Sequence, residues 1–510
     1  MTVFFFASVH YLNRIFIEII HFYMINIYTT ACFVLLSFIN FAQHSITWEP
    51  EIIVSDGSLF GNIRPRMTIL ENGNPVILYG KTEAENLHIS VWNGTTFNAP
   101  IQIVPSGMSA YVANWTGPDI ESKGDTIIAV FKLNPLETGN VYSVRSTDGG
   151  VTFSDTIRVD NHDNGVAWMP SMDLDDDGNP VITYMAHGAS WSNPEYVLVN
   201  SNDAGLTYNP EFSVSNVAGE ACDCCPAEVV VEGQKQVLLF RNNDANIRDI
   251  YAVLSNDGGA TFPYEQNVDS LDWFITSCPS TGPDGIFMND KLYAVSMSKG
   301  GVGYSRIYVS SSSVADSILL ETKMFIPEPD PVYAIQNFPR ISGENDTIVM
   351  TWQENVGNNT EIFYSVSATG GDHLNNLTTS KYIANDSTGG VQAVPDIRYK
   401  NGFVHLTFQD VITGNTIYKR GQIQSTAYLP EQLESIEFGP NPSQTGLFVF
   451  SKELKIQSLV NELGQSVAYT QSAIGPEAHV QLNENLNGNY FLTYRTNQNT
   501  LSTLKLVVIK

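Results

Sequence analysis

The chain has 510 residues, 26 of them basic and 53 acidic, for a net charge of −27 and a pI near 4.5. A polyanion of this strength repels phosphate backbones, which excludes nucleic acid as a partner. Only 15% of residues are charged and 11% are aromatic, which excludes a disordered chain and allows a large core in more than one domain.

Residues 24–42 are mostly apolar, opening Met24-Ile25-Asn26-Ile27 and closing Phe38-Ile39-Asn40-Phe41-Ala42. They read as the core of a secretory signal peptide over residues 1–43, cut after Ala42 or Gln43, with Met24 as an alternative start. An uncleaved anchor is the alternative, since the run approaches the ~20 apolar residues of a membrane span. No later stretch is apolar for long enough, so the mature chain is expected to lack a transmembrane segment and to be secreted or held at the cell surface. Cys32 leaves with the signal, and the remaining Cys222, Cys224, Cys225 and Cys278 form an even set that suits an oxidising compartment.

From residue 44 to 428 one element recurs: a proline, a short strand, a polar turn, then a second, apolar strand. It begins at Pro65 (ending Val76-Ile77-Leu78-Tyr79), Pro118, Pro170, Pro226, Pro279 or Pro283, Pro339 and Pro395. Units of about 50–60 residues are the size of four-stranded blades, so the expected fold is all-β, a propeller of seven blades, or six if one unit is miscounted. The seventh unit stops near Tyr418-Lys419-Arg420 after three strands. Residues 46–54 at the other end can supply the fourth and close the ring without an open edge.

Three turns repeat one pattern: Ser146-Thr147-Asp148-Gly149-Gly150-Val151-Thr152-Phe153, Ser201-Asn202-Asp203-Ala204-Gly205-Leu206-Thr207-Tyr208 and Ser255-Asn256-Asp257-Gly258-Gly259-Ala260-Thr261-Phe262. Their aspartates lie 55 and 54 residues apart. A carboxylate can accept hydrogen bonds from its own loop, so Asp148, Asp203 and Asp257 are read as structural, between the third and fourth strands of their blades. The pattern resembles the Asp-box of sialidases and other propellers. That resemblance implies glycan chemistry with three arginines on a substrate carboxylate, an aspartate acid and a Tyr–Glu nucleophile pair.

Residues 429–510 change character. Short strands separated by Asn, Pro and Gly turns predict a small β-sandwich. The order Asn441-Pro442, Leu463-Gly464-Gln465, Leu486-Asn487-Gly488-Asn489-Tyr490 and a terminal basic strand resembles the C-terminal sorting domain of the type IX secretion system. The resemblance implies a Bacteroidota-like protein exported across the outer membrane, with that secretion machinery as a partner.

A propeller gathers the residues beside each repeated proline around one mouth. These include Arg64, Trp115, Asp119, Trp168 and Arg340, joined from the second-strand exits by His187, Arg241, Arg248 and Asp249. Cations and aromatics clustered in an acidic protein suit an acidic sugar, Arg as a carboxylate fork and Trp as a stacking face. On the resemblance, Arg64, Arg241 and Arg340 form the arginine triad and Asp119 the acid; Ile63-Arg64-Pro65 stands where sialidases carry Arg-Ile-Pro, displaced by one. Nothing here matches the Tyr–Glu pair, so a glycan-acting hydrolase stands beside a non-catalytic binding propeller. The alternative for the arginines is pairing with carboxylates between blades.

Cys225-Pro226 and Cys278-Pro279 look equivalent in successive blades, so a Cys225–Cys278 bridge is expected, with Cys222 and Cys224 paired or free. A soft-metal site near His187 is the alternative to disulfides. Asp173-Leu174-Asp175-Asp176-Asp177-Gly178 has the carboxylate spacing that opens a calcium loop, but Tyr184 stands where such a loop ends in glutamate, and a hairpin turn is expected. No cofactor or metal is expected.

Overall fold

The computed structural model describes residues 43–55, 62–81, 86–313, 319–325, 331–368, 372–426, 438–451, 455–462, 465–474, 477–483, 487–495 and 501–509. The signal-peptide region lies outside them, apart from its last residue. The chain divides into two compact units, Met1–Thr426 and Ala427–Lys510.

Among the described residues of the first unit, seven antiparallel sheets follow one another in sequence. Blade one runs Asn62–Ile69, Pro75–Lys81, Asn86–Val91, Ile101–Gln102. The first strands of blades two to seven are Asp119–Lys123, Val166–Leu174, Glu228–Glu232, Asp284–Met288, Gln336–Glu344 and Gln392–Lys400. Each first strand neighbours the first strands of the blades before and after it, and the last neighbours the first. These strands therefore line a closed ring, and the fold is a seven-bladed propeller.

Blade seven has three strands of its own, and the N-terminal segment completes it. Gln43–Trp48 pairs antiparallel with Asn415–Thr426 from Gln43 opposite Thr426 to Trp48 opposite Gly421, and Ile52–Ser55 continues along the same strand. The last edge is thereby paired, as the missing strand required.

The second strands are continuously apolar because each serves two junctions. Successive side chains on a strand point to opposite faces. Val76 and Leu78 pack with Ile120, Ile127 and Ala129 of blade two, while Ile77 and Tyr79 pack with Tyr418 of blade seven. The other junctions have their own buried clusters, for example Ile128, Val130 and Ile182 between blades two and three.

The Asp turns fold as their chemistry dictates. Asp148 Oδ1 accepts from the Val151 and Thr152 amides at 3.1 and 2.9 Å, and Oδ2 from Thr152 Oγ1 at 2.6 Å. Asp203 and Asp257 make the same bonds to Thr207 and Thr261. These bonds, led by the Thr hydroxyl, hold all three carboxyls down at about 2. Gly150 has φ 87°, and a Cβ there would meet Val91 Cγ2 at 2.8 Å, so only glycine fits. Each turn joins the third and fourth strands. It sits on the hairpin between the first and second, as where Gly149 donates to Asp125 O. The Asp173–Gly178 segment is such a hairpin: Asp175 Oδ1 accepts from the Asp177 and Asn179 amides.

The second unit packs a four-stranded sheet (Phe438–Gly439, Leu447–Phe450, Glu477–Leu482, Tyr469–Ile474) against a three-stranded one (Lys455–Asn461, Gly488–Arg495, Leu501–Val508) around Phe448, Phe450, Val480, Leu492 and Leu506. It is a small β-sandwich. Among the described residues no helix is long and apolar enough to cross a membrane.

Candidate functional site

The residues beside the repeated prolines meet at one end of the ring axis. Arg64, Arg66, Trp115, Asp119, Glu228 and Arg340 line a mouth together with Pro170, Pro226, Pro283, Pro339 and Pro395. The space left is only about 30 Å³, enough for about one water molecule.

The backbone beside it is strained. In blades one, three, six and seven the residue before the proline sits at a bulge in the first strand with positive φ: Arg64 47°, Met169 54°, Phe338 50°, Val394 49°. Non-glycine residues, a β-branched valine above all, adopt this region only at a cost of about 1–3 kcal/mol. Four copies of one strained bulge around one axis mark the mouth as a built feature.

Below the mouth the axis is filled by charge. Arg340 Nη1 reaches Glu228 at 3.0 Å and Asp284 at 3.3 Å, and its Nε reaches Asp396 at 3.1 Å. Arg398 crosses from blade seven to Glu121 of blade two at 2.8 Å. Burial, with the like charges of Asp284 and Asp119 nearby, pushes Glu228 up to about 8 despite its contact with Arg340. Burial raises Glu121 to about 8 in the same way. In Asp396 the pull of Arg398, Arg340 and Arg66 outweighs burial and holds the carboxyl at about 2.

Carboxylates of the first strands also clasp the next blade. Asp119 Oδ2 accepts the Met172 amide at 3.0 Å, Asp173 Oδ2 the Val231 amide at 2.7 Å, and Asp284 Oδ2 the Ile341 amide at 2.7 Å. Asp119 Oδ1 also accepts the Ile120 amide at 3.0 Å, so both its oxygens are engaged by backbone. Asp119, the sequence's candidate acid, thus repeats a structural device of the ring.

Arg64 and Arg66 differ from Arg340. Among the described residues neither makes an ion pair. Arg64, 8% exposed, reaches only Asn114 O at 3.5 Å and has a buried Nε without a partner, while Arg66 Nη1 donates to Pro65 O at 3.0 Å. Burial, with Arg66 and Arg340 nearby, pulls the Arg64 pKa well down.

Beside the mouth lies an aromatic shelf. Trp168 is buried at its centre, with Trp115 at 5.4 Å, Trp191 at 5.2 Å and Tyr111 at 6.3 Å between ring centroids. Trp168 Nε1 donates to His187 Nε2 at 3.1 Å, and burial lowers the His187 pKa, keeping that nitrogen an acceptor. Trp191 is 37% exposed on a loop where Ser190, Trp191 and Asn193 all have positive φ. It borders a cavity of about 410 Å³ that His162 and Asp163 also line. Trp115 and Trp168 were legible from the prolines; Trp191 and Tyr111 lie in loops outside the repeat.

Arg241 does not join Arg64 and Arg340. Fully buried, it donates to Arg248 O and Met297 O at 2.7 Å each and to Thr281 O at 3.4 Å, with Trp273 against its guanidinium at 5.0 Å. Asp249 pins the following loop by accepting the Asp272 and Trp273 amides, both at 3.1 Å. Arg248 Nη1 donates to Cys222 Sγ at 3.0 Å.

The expected Cys225–Cys278 bridge is corrected: the disulfide joins Cys224 and Cys278, leaving Cys222 and Cys225 as buried thiols. Blade five begins its first strand at Asp284, directly after Pro283. Cys278-Pro279 is therefore not the equivalent of Cys225-Pro226 but part of the preceding loop. Cys224 is half-buried beside that loop, whereas Cys225 is fully buried.

No family model matches the chain, and no curated protein matches it in sequence. Among solved structures, an ulvan lyase aligns over 75% of this chain and 99% of its own at 11% identity and TM-score 0.47. An alpha-L-arabinofuranosidase of Fusarium graminearum covers 74% and 97% at 12% identity and TM-score 0.40. The endosialidase of phage phi92 covers 91% and 88% at 9% identity and TM-score 0.42. Likeness at this level carries no argument about activity, which rests on the residues.

Proposed function

We propose that this propeller captures an acidic glycan outside the cell, with a ligand carboxylate docking on Arg64 and Arg66 and the sugar ring lying on Trp115 and the shelf beside it. The observation that carries this reading is the buried guanidinium of Arg64, held at the mouth with no anionic partner among the described residues. A buried cation with no hydrogen-bonded counterion is costly, and an incoming carboxylate supplies a bidentate acceptor. The small mouth admits only the tip of a ligand, so the ring stays outside, where the half-buried Trp115 and the exposed Trp191 suit stacking. Both oxygens of Asp119 are occupied, which favours binding over hydrolysis.

Hydrolysis is the second reading, favoured by Glu228, a mouth-lining carboxyl whose pKa burial raises, the direction a proton donor needs. The Cys224–Cys278 disulfide supports an extracellular site of action, and the ordered motifs of the C-terminal sandwich support export by a type IX system. Glycan-array binding of the full chain, beside a fluorogenic sialoside assay across pH, tests both readings. Retained binding of acidic glycans without turnover is the expected result. Turnover abolished by Glu228→Gln establishes the second reading, and no preference for acidic over neutral glycans overturns both.

A further inference from the structure

Four sulfurs meet on the mouth side of blades four and five, arranged in depth. The Cys224–Cys278 disulfide is outermost, with Cys278 exposed; Cys222 and Cys225 lie fully buried behind it. Cys222 Sγ is 2.7 Å from Cys225 Sγ and 3.9 Å from Cys224 Sγ. Backbone bonds from the Cys224 and Cys225 amides to Cys222 O fold Cys222–Cys225 into one tight turn that holds the three sulfurs together. Arg248 Nη1 lies 3.0 Å from Cys222 Sγ and 3.9 Å from Cys224 Sγ, so one cation faces both the attacking and the attacked sulfur.

We propose that these four cysteines form one thiol–disulfide exchange site, in which the buried Cys222/Cys225 pair passes two electrons to the surface Cys224–Cys278 disulfide and presents Cys224 and Cys278 as thiols to disulfides in solution. Cys222 loses its proton and its thiolate attacks Cys224 Sγ, forming a Cys222–Cys224 bond; the Cys224–Cys278 bond breaks and its electron pair leaves on Cys278, which takes a proton from water. Cys225 then loses its proton and attacks Cys222 Sγ, and Cys224 departs with the electron pair and takes a proton from water. The chain ends with a Cys222–Cys225 disulfide and two surface thiols. Two protons are lost and two regained, with no outside oxidant. Such exchange requires a thiolate close to the sulfur it attacks. Burial raises the Cys222 thiol, but the hydrogen bond from Cys225 and the charges of Arg241 and Arg248 outweigh it, bringing the group to about 7.

The test uses the full chain in its one-disulfide form, alkylated and mapped by peptide mass spectrometry. Two isomers are expected, Cys224–Cys278 and Cys222–Cys225, and a water-soluble maleimide on the folded protein should trap Cys278 and drive the population to the second. Cys222→Ser should abolish maleimide labelling of Cys278, and Cys225→Ser should halt exchange at a Cys222–Cys224 bond. The inference is overturned by a single pairing that the maleimide leaves unchanged, or by two disulfides that open together only when the protein unfolds.

Discussion

Asp396 of blade seven accepts the backbone N–H of Met67 in blade one at 2.8 Å, across the seam where the ring closes. Its other oxygen holds Arg340 Nε at 3.1 Å, so one carboxylate ties the closing seam to the ion network on the axis. Replacing it leaves Arg340 partly unpaired in a buried site. Asp396→Ala should cost about 3–5 kcal/mol, the usual loss on breaking a buried ion pair, and denaturant melts measure it. The depressed carboxyl also gives a pH signature. Its stability is present above the unfolded value near 4 and is lost as pH falls toward 2. The wild type should therefore lose more stability than Asp396→Ala between pH 4 and 2.

Glu228 and Glu121 give the opposite slope. Both are raised to about 8, so folding favours their protonated forms. Their contribution is full below the unfolded value near 4.5 and is lost as pH rises through 8. The melting temperature should decline from pH 5 to pH 9, and Glu228→Gln should flatten that decline while keeping an amide against Arg340. Calorimetry at fixed ionic strength reads it; an unchanged slope would remove Glu228 as a protonated group.

The N-terminal strand carries the closure. Ile46 is 7% exposed and packs with Ile362, Leu406 and Ile417, while Trp48 lies edge-on to Tyr364 at 5.5 Å. Ile46→Ala should cost about 2–5 kcal/mol, as large-to-small core changes do. The same substitution at the exposed Ile53 should leave the melt nearly unchanged.

Much of this arrangement was legible in the chain. The blade count followed from repeated prolines, and the closing strand from a unit that stopped one strand short. The axis itself has a signal in period two. Arg66, Asp119, Asp284, Arg340 and Asp396 each follow the repeated proline directly, and Glu121, Asp173 and Arg398 stand two residues further on, so inward-facing charges alternate along the first strands. What could not be read was partnership. Arg241 is spent on backbone carbonyls, which carry no residue signature, whereas Arg64, beside the same kind of proline as Arg340, makes no ion pair among the described residues. The cysteine pairing turned on which proline begins blade five, a choice of four residues that spacing left open.

Arg64 and Arg241 separate function from folding. Arg241 supplies three hydrogen bonds from a charged group to buried carbonyls, each worth about 1.5–3 kcal/mol, so Arg241→Ala should destabilise the propeller strongly. Arg64 is the reverse case. It is buried with Arg66 and Arg340 as like-charged neighbours and no ion-pair partner among the described residues, so its charge opposes folding. Arg64→Gln should melt no lower than the wild type and weaken binding of an acidic glycan by about 10- to 100-fold, the loss of one charged hydrogen bond. Titration calorimetry with the best array ligand, paired with a melt of each variant, measures both. A destabilised Arg64→Gln that binds as tightly as the wild type would make Arg64 a structural cation, and the mouth would lose its case for an anion.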